Sequence, residues 1–262
     1  MTRTSNRIHR VCGHGAMVAL LAVTPFALGD VIYETEDPFG GIFGLWGADV
    51  CIDQSVGLRF TPTADYRLDR VSVWFMSNDF TGQTHPLVEL TLRTDDDSTA
   101  DVSVPSDKVL EAWSFNVSAV GWNPVLEVVD SVAHPLLEVG VDYWIVAESQ
   151  APGGDDGVWN FASSGTGFMA FSLGYGQPWQ PGHEGAVAST IIEGTPLSAG
   201  DIDGDGDVDL DDFGEFAECM AGPDVAVPPA GCTQAEFSRA DIDTDSDVDL
   251  GDFAGFQQVF TG

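Results

Sequence analysis

Between residues 30 and 194 the apolar positions come in short runs separated by clusters of Gly, Pro, Asp and Asn, about one run every ten residues. In the run 68–75, Val71, Val73 and Phe75 alternate with Arg70, Ser72 and Trp74. That period of two predicts a half-buried strand with the first three on the core face and Leu68 on the other. The run 87–94 sets Leu90 and Leu92 among polar neighbours, and the runs 109–117, 126–129, 143–147, 158–162, 168–173 and 187–192 complete the set. None of them sustains a helical period. The pattern predicts a mainly β unit, an antiparallel β-sandwich of jelly-roll type.

The pattern changes after a short linker at 195–200. Residues 201–213 read DIDGDGDVDLDDF and residues 241–253 read DIDTDSDVDLGDF, matching at ten of thirteen positions with a period of 40. One supersecondary unit is therefore used twice in 201–262. Calcium takes six to eight oxygen ligands, and a twelve-residue loop wraps them around one ion. In the first loop Asp201, Asp203 and Asp205 hold positions 1, 3 and 5, and Gly206 provides the turn at position 6. Asp207 at position 7 offers its carbonyl, Asp209 at position 9 acts through water, and Asp212 closes the shell from position 12. Asp241, Asp243, Asp245, Asp247, Asp249 and Asp252 repeat the set, with Ser246 in place of the turn glycine. A serine there must adopt positive φ, at about 1 kcal/mol or more, so the second of two Ca2+ sites is expected to be weaker. Val208 and Val248, both at position 8, are expected to pair.

Each loop leads into an apolar period of three and four: Phe213, Phe216 and Met220, then Phe253, Phe256 and Phe260. These predict two helices packed on each other. Thr233 followed by Glu236 has the form of a capping box for a short helix between them.

Composition sharpens the picture. Of 9 basic residues, Arg3, Arg7 and Arg10 precede residue 30, where there is no acid, and the other six face 42 acidic residues. The basic start, the apolar stretch 16–28 and the small residues Ala27 and Gly29 predict a signal peptide over 1–29 cleaved after Gly29. The stretch is shorter than the roughly 20 apolar residues that span a bilayer, so the mature chain is expected to be exported without a membrane anchor. So acidic a surface repels nucleic acid and anionic lipid. In an oxidising compartment Cys219 and Cys232 are close enough in sequence to bridge. Cys51 is then the odd thiol, a buried small hydrophobe or a free nucleophile.

Loop followed by helix, twice within about 60 residues and without an entering helix, resembles the type I dockerin over residues 201–260. The resemblance implies a calcium-folded module that docks an exported protein on a cohesin-like partner, often in polysaccharide-related assemblies. Such modules commonly carry Ser or Thr at loop positions 10 and 11, where this chain has Leu210-Asp211 and Leu250-Gly251. In the first half, the runs 56–62, 68–74 and 141–146 resemble exported choice-of-anchor sandwich domains, which implies a fold without an activity.

The sandwich itself reads as non-catalytic, with two rival readings. Glu89, Glu111, Glu127, Glu138 and Glu148 lie on or beside expected strands, where a converging pair would suit a hydrolase. Trp46, Trp122 and Trp179 lie in loop-like surroundings, where exposed indoles on one face would suit a glycan. Trp74, Trp113, Trp144 and Trp159 lie within strands and are expected in the core.

Overall fold

The structure, a computed structural model, describes residues 29–40, 45–96 and 103–262. The leader segment expected at 1–29 lies outside them but for its last residue. None of the described helices is long and apolar enough to cross a membrane.

The strands run β1 (Asp30–Glu34), β2 (Gly47–Val50), β3 (Ser55–Phe60), β4 (Tyr66–Ser77), β5 (Leu87–Asp95), β6 (Pro105–Asn116), β7 (Val125–Asp130), β8 (Leu136–Leu137), β9 (Tyr143–Glu148), β10 (Gly157–Asn160), β11 (Gly167–Ser172), β12 (His183–Gly185) and β13 (Thr190–Pro196). They form two antiparallel sheets. One has the order β1-β13-β4-β10-β2, with β7 and β8 also on β4; the other has the order β12-β11-β3-β9-β5-β6. A single apolar core joins them. Val71, Val73, Phe75, Trp159 and Ile192 come from the first sheet, and Val56, Leu58, Leu90, Leu92 and Ile145 from the second.

Val71, Val73 and Phe75 are fully buried, but so is Leu68, which strict alternation puts on the opposite face. The register against β13 explains the difference. Glu193 lies opposite Arg70 while Gly194 lies opposite Leu68, so Asp69 is an extra residue on β4. This bulge shifts the side-chain parity by one and returns Leu68 to the core. The strand tryptophans also divide. Trp144 and Trp159 are buried, whereas Trp74 and Trp113 are only half-buried. Cys51 is buried and forms no disulfide, and burial pushes its thiol pKa up.

Asp79 organises the turn after β4. Its carboxylate accepts from the Thr81 and Thr84 hydroxyls at 2.6 and 2.7 Å and from the amides of Thr81, Gln83 and Thr84. Those bonds, the Thr81 and Thr84 hydroxyls first, hold its pKa well below the usual carboxylate range. A depressed folded pKa stabilises above the unfolded value, and that stability is lost as pH falls through the folded one. Asp79→Ala should therefore lower the melting temperature at neutral pH, and the gap to the parent chain should narrow below about pH 4. A gap independent of pH would show that the bonds do not depend on the ionised carboxylate.

The second unit contains α1 (Leu210–Cys219), α2 (Gln234–Ala240) and α3 (Leu250–Val259) around a separate core of Ile202, Val208, Phe216, Phe237, Val248 and Phe256. Phe216 and Phe256 meet at 5.4 Å between ring centroids, with Phe213 and Phe253 alongside at 6.0 Å from each other. Cys219 at the end of α1 is bonded to Cys232 just ahead of α2, with Cα atoms 5.0 Å apart. Thr233 and Glu236 form a reciprocal capping box on α2.

Candidate metal centre

The two acidic loops share one construction, and position 12 is its centre. Asp212 is buried; its Oδ1 accepts from the amides of Ile202 (2.6 Å) and Asp203 (3.1 Å), and its Oδ2 from that of Asp209 (2.8 Å). Asp252 repeats this with Ile242 (2.7 Å), Asp243 (3.1 Å) and Asp249 (2.8 Å). Each carboxylate thus ties the start of its loop to the first turn of the following helix. Asp209 and Asp249 are the N-caps of those helices, accepting from Asp211 and Gly251.

Around position 12 the other carboxylates gather. In the first loop Asp201, Asp203 and Asp212 have oxygens within 4.8 Å of one another, as do Asp205, Asp207 and Asp212. In the second, Asp241, Asp243, Asp245 and Asp252 form one such group and Asp247, Asp249 and Asp252 another. Asp209 joins neither group of its loop, although Asp249, an N-cap in the same way, joins one. Position 7, read from the sequence as a carbonyl donor, brings its side chain into the cluster in both loops.

Two observations test whether these groups fit a cation. Asp201 is 2% exposed, yet its Oδ1 has no hydrogen-bond partner, and the Oδ1 of buried Asp247 has none either. A buried carboxylate oxygen without a donor is costly unless a cation meets it. The charges also oppose one another. Burial first, then neighbouring carboxylates such as Asp212 and Asp252, raises the pKa of Asp201, Asp203 and Asp243, and the charge of Asp205 does the same to Asp207. The donor set is all oxygen, which suits a hard cation.

Two positions per loop have left-handed backbone, where the sequence reading found one. Gly204 and Gly206 have φ of 78° and 101° in the first loop; Thr244 and Ser246 have 60° and 78° in the second. A β-branched threonine is strained there, by about 1–2 kcal/mol. Its signal was in the sequence, in the glycine that faces it in the repeat. If the second loop holds a calcium ion, Thr244→Gly should raise its affinity, roughly fivefold for about 1 kcal/mol. Unchanged or weaker binding in calorimetry would mean that the left-handed turn costs the loop nothing.

Val208 and Val248 share the core but do not pair through their backbones. Val208 bonds Thr261 (2.8 Å), and the Val248 carbonyl accepts from Ala221 and Gly222 (3.0 Å each). Each loop therefore clasps the segment that leaves the other loop's helix.

The first loop also rests on the sandwich. Arg67 of β4 donates to the Asp205 carbonyl, and Arg239 of α2 donates to the Ile202 carbonyl (3.0 Å) while pairing with Asp65 (3.6 Å). Gly204 lies beside Leu136 and Leu197. These three cross-unit contacts had no sequence signal. They place two of the six cations after residue 30 against the most acidic segment of the chain.

The candidate residues of the sandwich go to several places. Glu111 is buried and accepts from Ser131 and the amides of Val132 and Ala133, and Glu127 accepts from Ser118. Both hold loops. Glu138 lies just past β8, where its amide donates to the Tyr143 hydroxyl oxygen at 3.0 Å. Glu89 and Glu148 stand opposite each other on β5 and β9. Trp46 is 71% exposed and Trp122 52%, but the three loop tryptophans do not share a face. Trp46 precedes Gly47, opposite Asn160, whereas Trp122 bonds Asn78 beyond the Gly157 end of β10. Trp179 belongs to the other sheet.

No protein-family model matches this chain, and no curated protein does.

Proposed function

We propose that residues 201–262 are a dockerin-like module that folds around two calcium ions and attaches an exported, jelly-roll-like sandwich to a protein partner. The observation that carries this reading is a carboxylate cluster built round position 12 in both loops, with an orphaned buried oxygen in each, at position 1 in the first and position 7 in the second. Asp201, Asp203, Asp205, Asp207 and Asp212 would hold one ion, and Asp241, Asp243, Asp245, Asp247, Asp249 and Asp252 the other. The ion supplies positive charge that cancels carboxylate repulsion and so converts binding energy into folding energy. An all-oxygen cage in a flexible loop favours calcium over magnesium, which demands a tighter octahedron.

The docking face follows from the repeat. Leu210 and Leu250 occupy position 10 of their loops and are 71% and 73% exposed. Two apolar side chains at equivalent positions suit an apolar socket on a cohesin-like or other envelope protein better than a polar Ser/Thr contact does. Burying both would contribute about 3 kcal/mol or more. The chain Leu210→Gln/Leu250→Gln should bind calcium as the parent does and lose calcium-dependent retention of its envelope partner by roughly a hundredfold. Retention unchanged in that chain would move the docking face elsewhere. Loss of calcium binding would show that the leucines belong to the loop fold.

A further inference from the structure

The outer face of the six-stranded sheet carries a second built feature. Register places Arg59, Trp144 and Arg93 side by side across β3, β9 and β5, and Ser55, Glu148 and Glu89 side by side at the other end of those strands. Gly57, Val146 and Thr91 lie between the two rows. A Cβ on Gly57 would stand 3.1 Å from Pro105 Cγ and 3.1 Å from Trp144, so the start of β6 lies over this face. The turn after β11 closes the other side. There the Tyr175 hydroxyl donates to Glu89 at 2.8 Å, and Trp179 packs on Trp144, Val146 and Ala170. Between the two walls is an open cleft of about 710 Å3 lined by Arg93, Glu148, Asp107, Tyr175, Gln177 and Trp179.

Its polar groups are fixed in place. Arg93 Nη2 meets Glu148 Oε2 at 2.6 Å, Arg93 Nε donates to Thr91 (2.9 Å), and Ser55 donates to the second Glu148 oxygen (3.2 Å). Both partners of the ion pair are 13% exposed. An ion pair this sheltered is weak as a source of stability, but it is well suited to a ligand that needs donor and acceptor side by side. Hydroxyl pairs on a sugar have that need, and the flat faces of Trp179 and Tyr175 suit a pyranose ring. The volume falls in the range of small-molecule sites, about 300–1,000 Å3. Glu148 and Asp107 outnumber Arg93 along the lining, so an anionic sugar is repelled.

We propose that this cleft binds a neutral oligosaccharide, with a ring against Trp179 and hydroxyls on the Arg93–Glu148 pair. The site lies on the sandwich and does not depend on the calcium reading. Cellohexaose, xylohexaose, mannohexaose and, as an anionic comparison, polygalacturonate are titrated into the full chain with tryptophan fluorescence and calorimetry as readouts. At least one neutral hexasaccharide is expected to bind, equally in calcium and in chelator. Trp179→Ala and Tyr175→Ala are each expected to weaken it roughly tenfold or more, the scale of a lost aromatic contact. Trp46→Ala, far from the cleft, should leave it unchanged. Melting curves establish that each variant is folded, and the two cleft variants are independent, so failure of one to fold leaves the other as the test. The proposal is overturned if no neutral hexasaccharide binds at about 10 mM, enough to detect a Kd near ~1 mM. Binding that survives both cleft substitutions, that vanishes in chelator, or that favours polygalacturonate overturns it equally.

Discussion

An Asp212→Ala chain is expected to lose its first calcium site and the fold of that loop together. The carboxylate accepts three backbone amides, from Ile202, Asp203 and Asp209, in a fully buried position. Leaving buried donors without a partner costs about 1–3 kcal/mol each, not strictly additive, so the loop should lose roughly 3 kcal/mol or more before any lost metal contact. Asp209→Ala removes only an N-cap, a change of about 1 kcal/mol. Calorimetry should find one calcium per chain in Asp212→Ala, and two in Asp209→Ala with the first site about tenfold weaker or less. Equal losses in the two variants, or the reverse order, would contradict the assigned register. Asp252→Ala should lose the second site in the same way, because Asp252 makes the same three bonds.

Much of this geometry was legible in the chain because local spacing specifies it. Position 12 lies three residues beyond the N-cap, so one carboxylate reaches both the cap amide and the start of the loop, and the repeat states that spacing twice. The alternation of Val71, Val73 and Phe75 likewise declared a buried face. Leu68 did not follow, since a single bulged residue at Asp69 reverses parity and no side-chain pattern announces it. Four strands, β1, β2, β8 and β12, have five residues or fewer and were not read as runs; β8 has two residues and β12 reads His-Glu-Gly. β1, β2 and β8 are held by partners far away in sequence, and β12 by β11, the strand before it. The proposed saccharide cleft was legible only in part, through Trp179 and Glu148 as separate candidates. Glu148, Arg93 and Trp179 meet only through the register of β5, β9 and β11. Gly- and Pro-rich surroundings correctly marked Trp46 and Trp122 as exposed, but composition carries no information on which face a loop lies over. The arginine contacts on the first loop were hidden in another way: Arg67 sits 138 residues from Asp205.

Calcium removal should have the largest effect on the second unit. Its small core of Ile202, Val208, Phe216, Phe237, Val248 and Phe256 is surrounded by clustered carboxylates that repel one another, and five of them, Asp201, Asp203, Asp207, Asp243 and Asp247, have pKa values raised from the ordinary value. Sheltered cores of this size add only a few kcal/mol, whereas metal ligation in small modules supplies about 10 kcal/mol or more. The sandwich has its own core, so it should keep its cooperative transition in chelator while the helices melt. The most direct measurement is a calorimetric titration of calcium into chelator-treated full-length protein, followed in parallel by far-ultraviolet circular dichroism. The account predicts two calcium ions per chain, with helical signal rising as they bind. A helical signal that is the same with and without calcium, or a stoichiometry of zero, would contradict it.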